Sequence, residues 1–266
     1  NNRIFVLTYQ ADFYFNYYIY KDFAEKVFLP SQYVIDAADD NKDLPHYAFD
    51  SSSPKNIGLG SPKYDVEINK ESVLEKYSLS SRPKALVIFP NAGLGLSQGP
   101  LYRNGEKYGL TLEDFQVLYQ VIGSLGFEIL VKNRGKHPIS ETWKPFKGHR
   151  YFVDNSWYPH TTMELIEVCD FIINVDSTTV KEAVLAHKPI LNFSLRNYEK
   201  HIKGYKFLYN YNYCTAFSDF PPPELLRSSI TDLCSQDFTN DFNTSIKKHL
   251  FSRGSVSDNI LSEVLS

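Results

Sequence analysis

The sequence predicts an α/β protein organised around a parallel, doubly wound sheet. From residue 85 onward, short apolar runs rich in β-branched residues alternate with helix-forming segments. Residues 170–193 contain a complete strand, helix and strand, a unit in which the two strands are parallel. The 266 residues are 42% hydrophobic, which is enough to form a substantial core. Together these observations indicate a globular protein with a central sheet.

The amino-terminal part of the chain predicts a smaller α/β domain. Before a break at residues 80–83, it contains strands at residues 3–9, 26–29 and 56–60, a helical turn at 22–26, a polar loop at 36–53 and a helix at 70–77. We therefore predict a partial or reduced amino-terminal domain with its linker over residues 1–80. Residues 81–266 form the predicted Rossmann-like domain.

In this second domain, cap residues mark the helices and apolar runs mark the strands. Thr111 with Asp114, and Thr161 with Glu164, have the spacing of capping boxes, and Gly126 suits a helix C-cap. Residues 90–109 read as a long loop with five glycines. The predicted strands cover residues 85–89, 127–132, 151–153, 171–175, 190–193 and 213–217; the predicted helices cover 111–125, 161–169, 180–187, 223–233, 239–250 and 256–265.

Composition excludes several classes of protein. The net charge is -3 and no segment is dense in Lys or Arg, so nucleic acid is not an expected partner. No apolar run approaches the ~20 residues that span a bilayer, and no signal peptide is visible, so we expect no transmembrane segment. Three cysteines are widely spaced, at positions 169, 214 and 234, which is typical of unpaired thiols in a reducing compartment. We therefore expect a cytoplasmic protein.

The candidate binding residues follow the predicted strands of the second domain. In a parallel sheet, the loops after the strands lie on one edge and converge on a single crevice. Cations, hydroxyls and a helix N-terminus at this edge suit a diphosphate, and an indole suits a nucleobase. Along the chain these residues are Asn91, Gly93, Lys132, Arg134, His137, Trp157, Ser177, Thr178 and Thr179, with Glu182 one turn into the following helix to bind sugar hydroxyls.

Several of these residues also have a purely structural interpretation. Thr179 and Glu182 have capping-box spacing, which requires no ligand. Lys132 and Arg134 suit solvated loop charges as well, and Trp157 suits packing. His137 precedes a proline, where a role in shaping the turn is equally consistent. No GxGxxG after a strand, GxxxxGK[ST], HExxH, paired CxxC or GxSxG occurs, which disfavours dehydrogenases, P-loop NTPases, metalloproteases and serine hydrolases.

The segment at residues 170–193 resembles the donor-binding region of GT-B glycosyltransferases. The similarity is greatest to the bacterial surface-polysaccharide group that includes CDP-glycerol glycerophosphotransferases and, more distantly, UDP-N-acetylglucosamine 2-epimerases. It rests on Asp-Ser-Thr-Thr at 176–179, His-Lys-Pro at 187–189 and His-Pro at 137–138. Residues 58–65 are similar to the strand that closes the first domain in that group, and residues 254–265 are similar to its terminal helix.

The resemblance implies a GT-B-like fold and sugar transfer from a nucleotide-diphosphate donor, with UDP as the expected nucleotide. Glycerophosphoryl transfer and nucleotide-sugar epimerisation are the alternatives within the group. It implies a glycan or polysaccharide acceptor and no metal or other cofactor, because protein groups stabilise the leaving diphosphate. Asp12 is then the candidate base, although a turn-forming or capping role suits this carboxylate too.

A second hypothesis belongs to a different class of protein. The predicted first domain is only ~65 residues long, about half of what a nucleotide-binding Rossmann domain needs. A missing amino-terminal half or a separate partner chain would complete it. A reduced enzyme is the other explanation of the short domain. The second hypothesis is that the chain is a non-catalytic subunit that binds a nucleotide sugar within a larger transferase.

Overall fold

The chain forms two compact units in the computed structural model. The first comprises residues 1–67 and 243–266, and the second comprises residues 68–242. The sequence-based prediction assigned residues 68–80 to the first domain and residues 243–266 to the second, whereas the structure places each of these segments in the other unit. The structure describes residues 3–7, 23–29, 31, 35, 53, 55–88, 101–103, 106–108, 110–134, 149–154, 160–175, 177, 179–193, 206–249 and 255–266, with the backbone alone at 101–103, 106–108, 134, 154, 206 and 207.

The described part of the chain contains eleven strands and seven α-helices. The strands are β1 Phe5–Leu7, β2 Lys26–Leu29, β3 Asn56–Gly58, β4 Lys84–Ile88, β5 Leu101–Arg103, β6 Glu106–Tyr108, β7 Glu128–Arg134, β8 Arg150–Asp154, β9 Phe171–Asn174, β10 Ile190–Phe193 and β11 Cys214–Phe217. The helices are α1 Lys70–Lys76, α2 Leu112–Ser124, α3 Thr161–Val168, α4 Val180–Leu185, α5 Pro223–Ser235, α6 Thr239–His249 and α7 Val256–Leu265. Short 3-10 turns cover Pro62–Tyr64 and Lys206–Asn210.

A small parallel sheet lies in the first unit. Its order is β1-β2-β3, and both pairs of strands are parallel. Buried Val27 and Leu29 of β2 cluster with Ala24 and Ile35, and Val6 packs against them. The predicted strands at residues 26–29 and 56–60 are confirmed, the second one in shorter form. Residues 23–25 form a turn and a bend instead of the predicted helical turn, because the strand already begins at Lys26.

The carboxyl-terminal helix α7 belongs to the same unit as this sheet. The carboxylate of Asp65 accepts hydrogen bonds from the backbone N–H of Val256 at 3.4 Å and of Ser257 at 2.6 Å, which caps the first turn of α7. Near the other end of the helix, Lys26 Nζ donates to the Glu263 backbone carbonyl at 2.6 Å and to its carboxylate at 2.8 Å. Sequence-distant residues therefore hold α7 at both ends.

The second unit contains the predicted parallel sheet. Its six strands have the order β11-β10-β9-β4-β7-β8, and all neighbouring strands are parallel. Every residue of β4, β9 and β10 is buried, as expected for strands covered on both faces. The α/β, Rossmann-type class predicted from the sequence is confirmed.

Helix α2 confirms the predicted capping. Thr111 Oγ1 accepts a hydrogen bond from Asp114 N at 3.1 Å, while the Asp114 carboxylate accepts one from Thr111 N at 2.8 Å. Gly126 follows the helix with a φ of 87°, a conformation that glycine adopts without strain. Helix α2 packs against α5, and α1 packs against α3.

The loop predicted at residues 90–109 contains a two-stranded hairpin. Strands β5 and β6 pair antiparallel, with Leu101 opposite Tyr108. The dipeptide Asn104-Gly105 lies between them, and Asn-Gly is a strong sequence signal for a hairpin. The prediction of a continuous loop, which was based on the five glycines, is therefore wrong at residues 101–108, where the Asn-Gly signal predicts the hairpin correctly.

Two further expectations need correction. Strand β7 continues to Arg134, whereas the predicted strand ended at residue 132, so Asn133 and Arg134 also belong to the strand. Helix α3 has His160 at its N-cap without a side-chain capping bond, and Glu164 does not form the predicted capping box. Instead, the buried Glu164 carboxylate accepts hydrogen bonds from Lys76 Nζ at 2.7 and 2.8 Å. It faces helix α1, which provides its charge partner.

Candidate functional site

The strand order of the six-stranded sheet reverses between β4 and β9. From β4 the chain proceeds to β7 and β8 on one side, and then from β9 to β10 and β11 on the other. In open α/β sheets, ligands bind beyond the carboxyl ends of the strands at such a switch point. Of the predicted residues, Asn91 and Gly93 follow β4 in sequence, and Ser177, Thr178 and Thr179 follow β9. The topology thus assigns both sets to the strands that flank this point.

Two hydroxyls of the turn after β9 lie close together. Ser177 Oγ and Thr179 Oγ1 are 2.9 Å apart, and Thr179 N donates to Ser177 Oγ at 3.3 Å. Both residues are half-buried. The structure therefore brings two of the predicted donor-binding side chains into one hydrogen-bonded turn at the carboxyl edge of the sheet.

The helix that follows this turn is shorter than the sequence predicted. Helix α4 covers only Val180–Leu185, and Thr179 at its N-cap makes no side-chain capping bond. The capping-box interpretation of Thr179 with Glu182 is therefore wrong, because the hydroxyl that it requires is paired with Ser177. Glu182 lies in the first turn of α4, half-buried, with its Oε2 shielded from solvent.

The two predicted cations are residues of β7. Lys132 is buried, with 6% of its surface exposed, and it is paired in register with Ile88, the last residue of β4. The solvated-loop interpretation of Lys132 is therefore wrong. Arg134 is the last residue of β7, at the carboxyl edge of the sheet.

The remaining predicted site residues lie outside the described part of the chain. These residues are Asp12, Asn91, Gly93, His137, Trp157 and Thr178. Their roles stay predictions, and the sequence places all but Asp12 in segments that directly follow strands of the six-stranded sheet.

Two buried amides at the same edge were missed by the sequence analysis. Asn174 ends β9 and Asn192 lies opposite it in β10; both are 0% exposed. Asn174 Nδ2 donates to Asn192 Oδ1 at 2.8 Å and lies 3.3 Å from the hydroxyl of Tyr209. The sequence does contain a signal for them, because each asparagine is the one polar residue in an otherwise apolar predicted strand.

A groove of about 440 Å³ lies at the opposite, amino edge of the sheet. The residues before four strands line it together with the segment between α5 and α6: Pro83, Phe127, Asp170, His187, Pro189, Leu233, Cys234, Gln236, Asp237, Phe238, Thr239 and Phe242. The His187 and Phe242 rings stack at 5.1 Å in this region. The groove contains none of the predicted donor-binding residues. The groove therefore indicates a binding site at the amino edge of the sheet, whereas the reversal of strand order indicates one at the carboxyl edge. We assign the candidate site to the edge indicated by topology.

The three cysteines do not form a disulfide. Burial raises the pKa of Cys169 and of Cys214 well above the ordinary thiol range. Burial, with a smaller contribution from Asp170, raises the pKa of Cys234 to about 11. All three are therefore protonated thiols at neutral pH.

Within the described residues, no helix is long and apolar enough to cross a membrane. That same part of the chain contains no group of three or more His, Cys, Asp or Glu side chains placed to hold a metal ion.

Comparison with solved structures identifies the class of fold. The wall teichoic acid polymerase TagF is similar to this chain with a TM-score of 0.57 and 13% identity, over 92% of this chain and 58% of that one. UDP-GlcNAc 2-epimerase from Methanocaldococcus jannaschii, solved with UDP-GlcNAc and UDP, gives a TM-score of 0.53 and 10% identity, over 94% and 63%. A glycotransferase of kitacinnamycin gives 0.52 and 12%, over 91% and 55%.

These similarities show a GT-B-like α/β fold, in agreement with the motifs at residues 170–193. At identities of 10–13%, the similarity is one of fold. No protein-family model matches the sequence, and no curated protein matches it. The chain spans about three fifths of the length of the structures that it matches.

Proposed function

We propose that this chain binds a nucleotide-diphosphate sugar at the carboxyl edge of the six-stranded sheet and takes part in transfer of the sugar to a glycan or polysaccharide acceptor. The observation that carries this proposal is the Ser177–Thr179 turn after β9, beside the point where the strand order reverses. Hydroxyls and backbone N–H groups at such a point suit the oxygens of a diphosphate.

The solved structures with this fold support the choice of ligand. One of them was determined with UDP-GlcNAc and UDP, and another is a glycotransferase. We therefore take UDP as the first nucleotide to test, as a part of the substrate and not as a cofactor.

The predicted roles follow from the chemistry of each group. Ser177, Thr178 and Thr179 bind the diphosphate by hydrogen bonds, and Arg134 at the end of β7 neutralises charge on it. Glu182, one turn into α4, accepts hydrogen bonds from sugar hydroxyls. Charge that develops on the leaving diphosphate is then stabilised by protein groups, without a metal ion. Asp12 is the proposed base that deprotonates the acceptor hydroxyl.

The direct test is calorimetric titration of the purified chain with UDP, CDP, GDP and their sugar conjugates, with and without magnesium. We expect one nucleotide diphosphate to bind in both conditions. In the double variant Ser177→Ala/Thr178→Ala, affinity should fall at least about tenfold because hydroxyl partners of the diphosphate are lost. The melting temperature should fall by only about 2–4 °C, since the local turn loses about 1 kcal/mol.

A matched control removes two hydroxyls that lie on a helix surface. In α5, Ser228 Oγ donates to the Leu225 carbonyl and Thr231 Oγ1 donates to the Arg227 carbonyl. The variant Ser228→Ala/Thr231→Ala should bind as tightly as the wild type. Unchanged affinity in the Ser177 double variant, with a larger loss of stability, would contradict the proposal and assign the turn a structural role.

Turnover separates the alternatives within the proposed class. Release of UDP that depends on a glycan acceptor supports glycosyl transfer, whereas release of CMP from CDP-glycerol supports glycerophosphoryl transfer. Conversion of the sugar without an acceptor supports epimerisation. Binding without any turnover, restored by a second chain, supports the non-catalytic subunit.

A further inference from the structure

The amide pair Asn174 and Asn192 is unusual in its surroundings. Both residues are fully buried in strands whose other members are Phe, Ile and Leu. They are Cα partners in the parallel pairing of β9 and β10, so their side chains lie on the same face of the sheet. Replacement of such a pair by apolar residues is often neutral or stabilising, so its presence requires a reason beyond stability.

The geometry leaves one hydrogen-bonding position of Asn174 unfilled. Its Nδ2 donates to Asn192 Oδ1 at 2.8 Å and lies 3.3 Å from Tyr209 Oη. Its Oδ1 is shielded from solvent, and no donor in the described part of the chain hydrogen-bonds to it. Rotation of this amide alone by half a turn would bring two amide oxygens together at the 2.8 Å contact. The observed orientation therefore presents an acceptor to which none of the described residues donates.

The position of this acceptor connects it with the proposed site. Asn174 is the last residue of β9, three residues before Ser177, and β9 borders the point where the strand order reverses. A buried acceptor without a donor costs free energy, and such groups in native proteins commonly serve a ligand or an ordered water.

We propose that Asn174 is a specificity-determining residue of the donor site, whose Oδ1 accepts a hydrogen bond from an O–H or N–H group of the bound nucleotide sugar. This inference rests on the proposed function. An ionised diphosphate offers only acceptors, so it is not the partner of Oδ1. The partner is a hydroxyl of the transferred sugar or an O–H or N–H of the nucleoside.

The test compares two variants that break the same internal hydrogen bond. Asn174→Leu removes the acceptor, whereas Asn192→Leu retains it; both lose the 2.8 Å amide contact. Affinities for UDP and for UDP-N-acetylglucosamine are measured by calorimetry for the wild type and both variants, and melting temperatures are recorded. We expect Asn174→Leu to bind at least about tenfold more weakly and Asn192→Leu to bind within about threefold of the wild type.

The two probes distinguish the sources of the donor group. A loss of affinity confined to the nucleotide sugar identifies a sugar hydroxyl as the partner, and an equal loss for both probes identifies the nucleoside. Equal affinities of the two variants, with the wild type binding normally, would overturn the inference and leave the proposed function standing. A wild type that binds no nucleotide overturns the proposed function, and this inference with it. If Asn174→Leu does not fold, Asn174→Ala removes the same oxygen with less bulk and is judged by the same comparison.

Discussion

The buried carboxylate of Glu164 is satisfied by partners from another part of the chain. Glu164 is 7% exposed, and its carboxylate accepts hydrogen bonds from Lys76 Nζ and from the Tyr77 hydroxyl. The hydrogen bond with Glu164 raises the pKa of Lys76, so the ammonium form is favoured. Arg150 donates to the backbone carbonyls of Tyr77 and Ser78, next to this cluster. These bonds join the end of α1 to the sheet layer.

Loss of the Glu164 charge should destabilise the protein measurably. We expect Glu164→Gln to lower the free energy of unfolding by about 1–2 kcal/mol, because the hydrogen bonds that Lys76 and Tyr77 donate to a charged carboxylate are replaced by weaker ones to a neutral amide. Urea denaturation measures the difference. Glu75→Gln is the matched control, since Glu75 is exposed on the same helix α1 as Lys76. Equal effects of the two substitutions would refute a special role for Glu164.

Helix termini show how far local sequence determined the elements. The capping box of α2 was predicted correctly because both partners, Thr111 and Asp114, lie within one turn. The partner of Glu164 was not predictable from spacing, because it lies on α1, 88 residues away in sequence. The cap of α7 is likewise non-local, since Asp65 provides it from 192 residues before Ser257.

The Asp65 cap can be tested on α7 alone. We expect Asp65→Ala to lower stability by about 1 kcal/mol, because two N-terminal N–H groups of α7 lose their acceptor. Amide hydrogen exchange of residues 256–260 should accelerate more than that of β2. Glu67→Gln, an exposed acidic residue two positions further on, provides the control for loss of charge. Unchanged exchange in α7 would show that water replaces the cap without cost.

For the whole molecule, the regular alternation of strands and helices made the fold class predictable, because the pattern repeats over many residues. The strand order was not stated from the sequence, since pairing depends on contacts between distant segments. The site was predictable where hydroxyls follow a strand, as with Ser177 and Thr179. Asn174 and Asn192 were missed, since their side chains become hydrogen-bonding partners only when β9 pairs with β10.

The stability of the whole chain should depend on pH through His249. Burial, with a smaller contribution from Lys248, lowers the pKa of His249 from 6.5 to about 4. The unfolded chain therefore takes up a proton below pH 6.5 that the folded chain does not, and the free energy of unfolding falls between about pH 6.5 and pH 4.

We expect His249 to account for about 1–3 kcal/mol of this loss, and His249→Gln to remove that share. Urea denaturation of the wild type and the variant at pH 7.5, 6, 5 and 4 measures the slopes. A variant whose stability falls as steeply as that of the wild type would contradict the assignment to His249.

The paired amides of β9 and β10 also bear on how the sheet assembles. A shift of one residue between these strands would place Asn174 opposite Leu191 or Phe193, and each amide would then be buried against an apolar side chain. Such an error costs about 2–6 kcal/mol for the two amides, whereas shifted Ile and Leu residues would still pack. Parallel strands pair late and across long loops, where mistakes in alignment are most frequent. The two asparagines therefore favour the native register of β9 and β10 over shifted ones, because only the native register lets the two amides hydrogen-bond to each other.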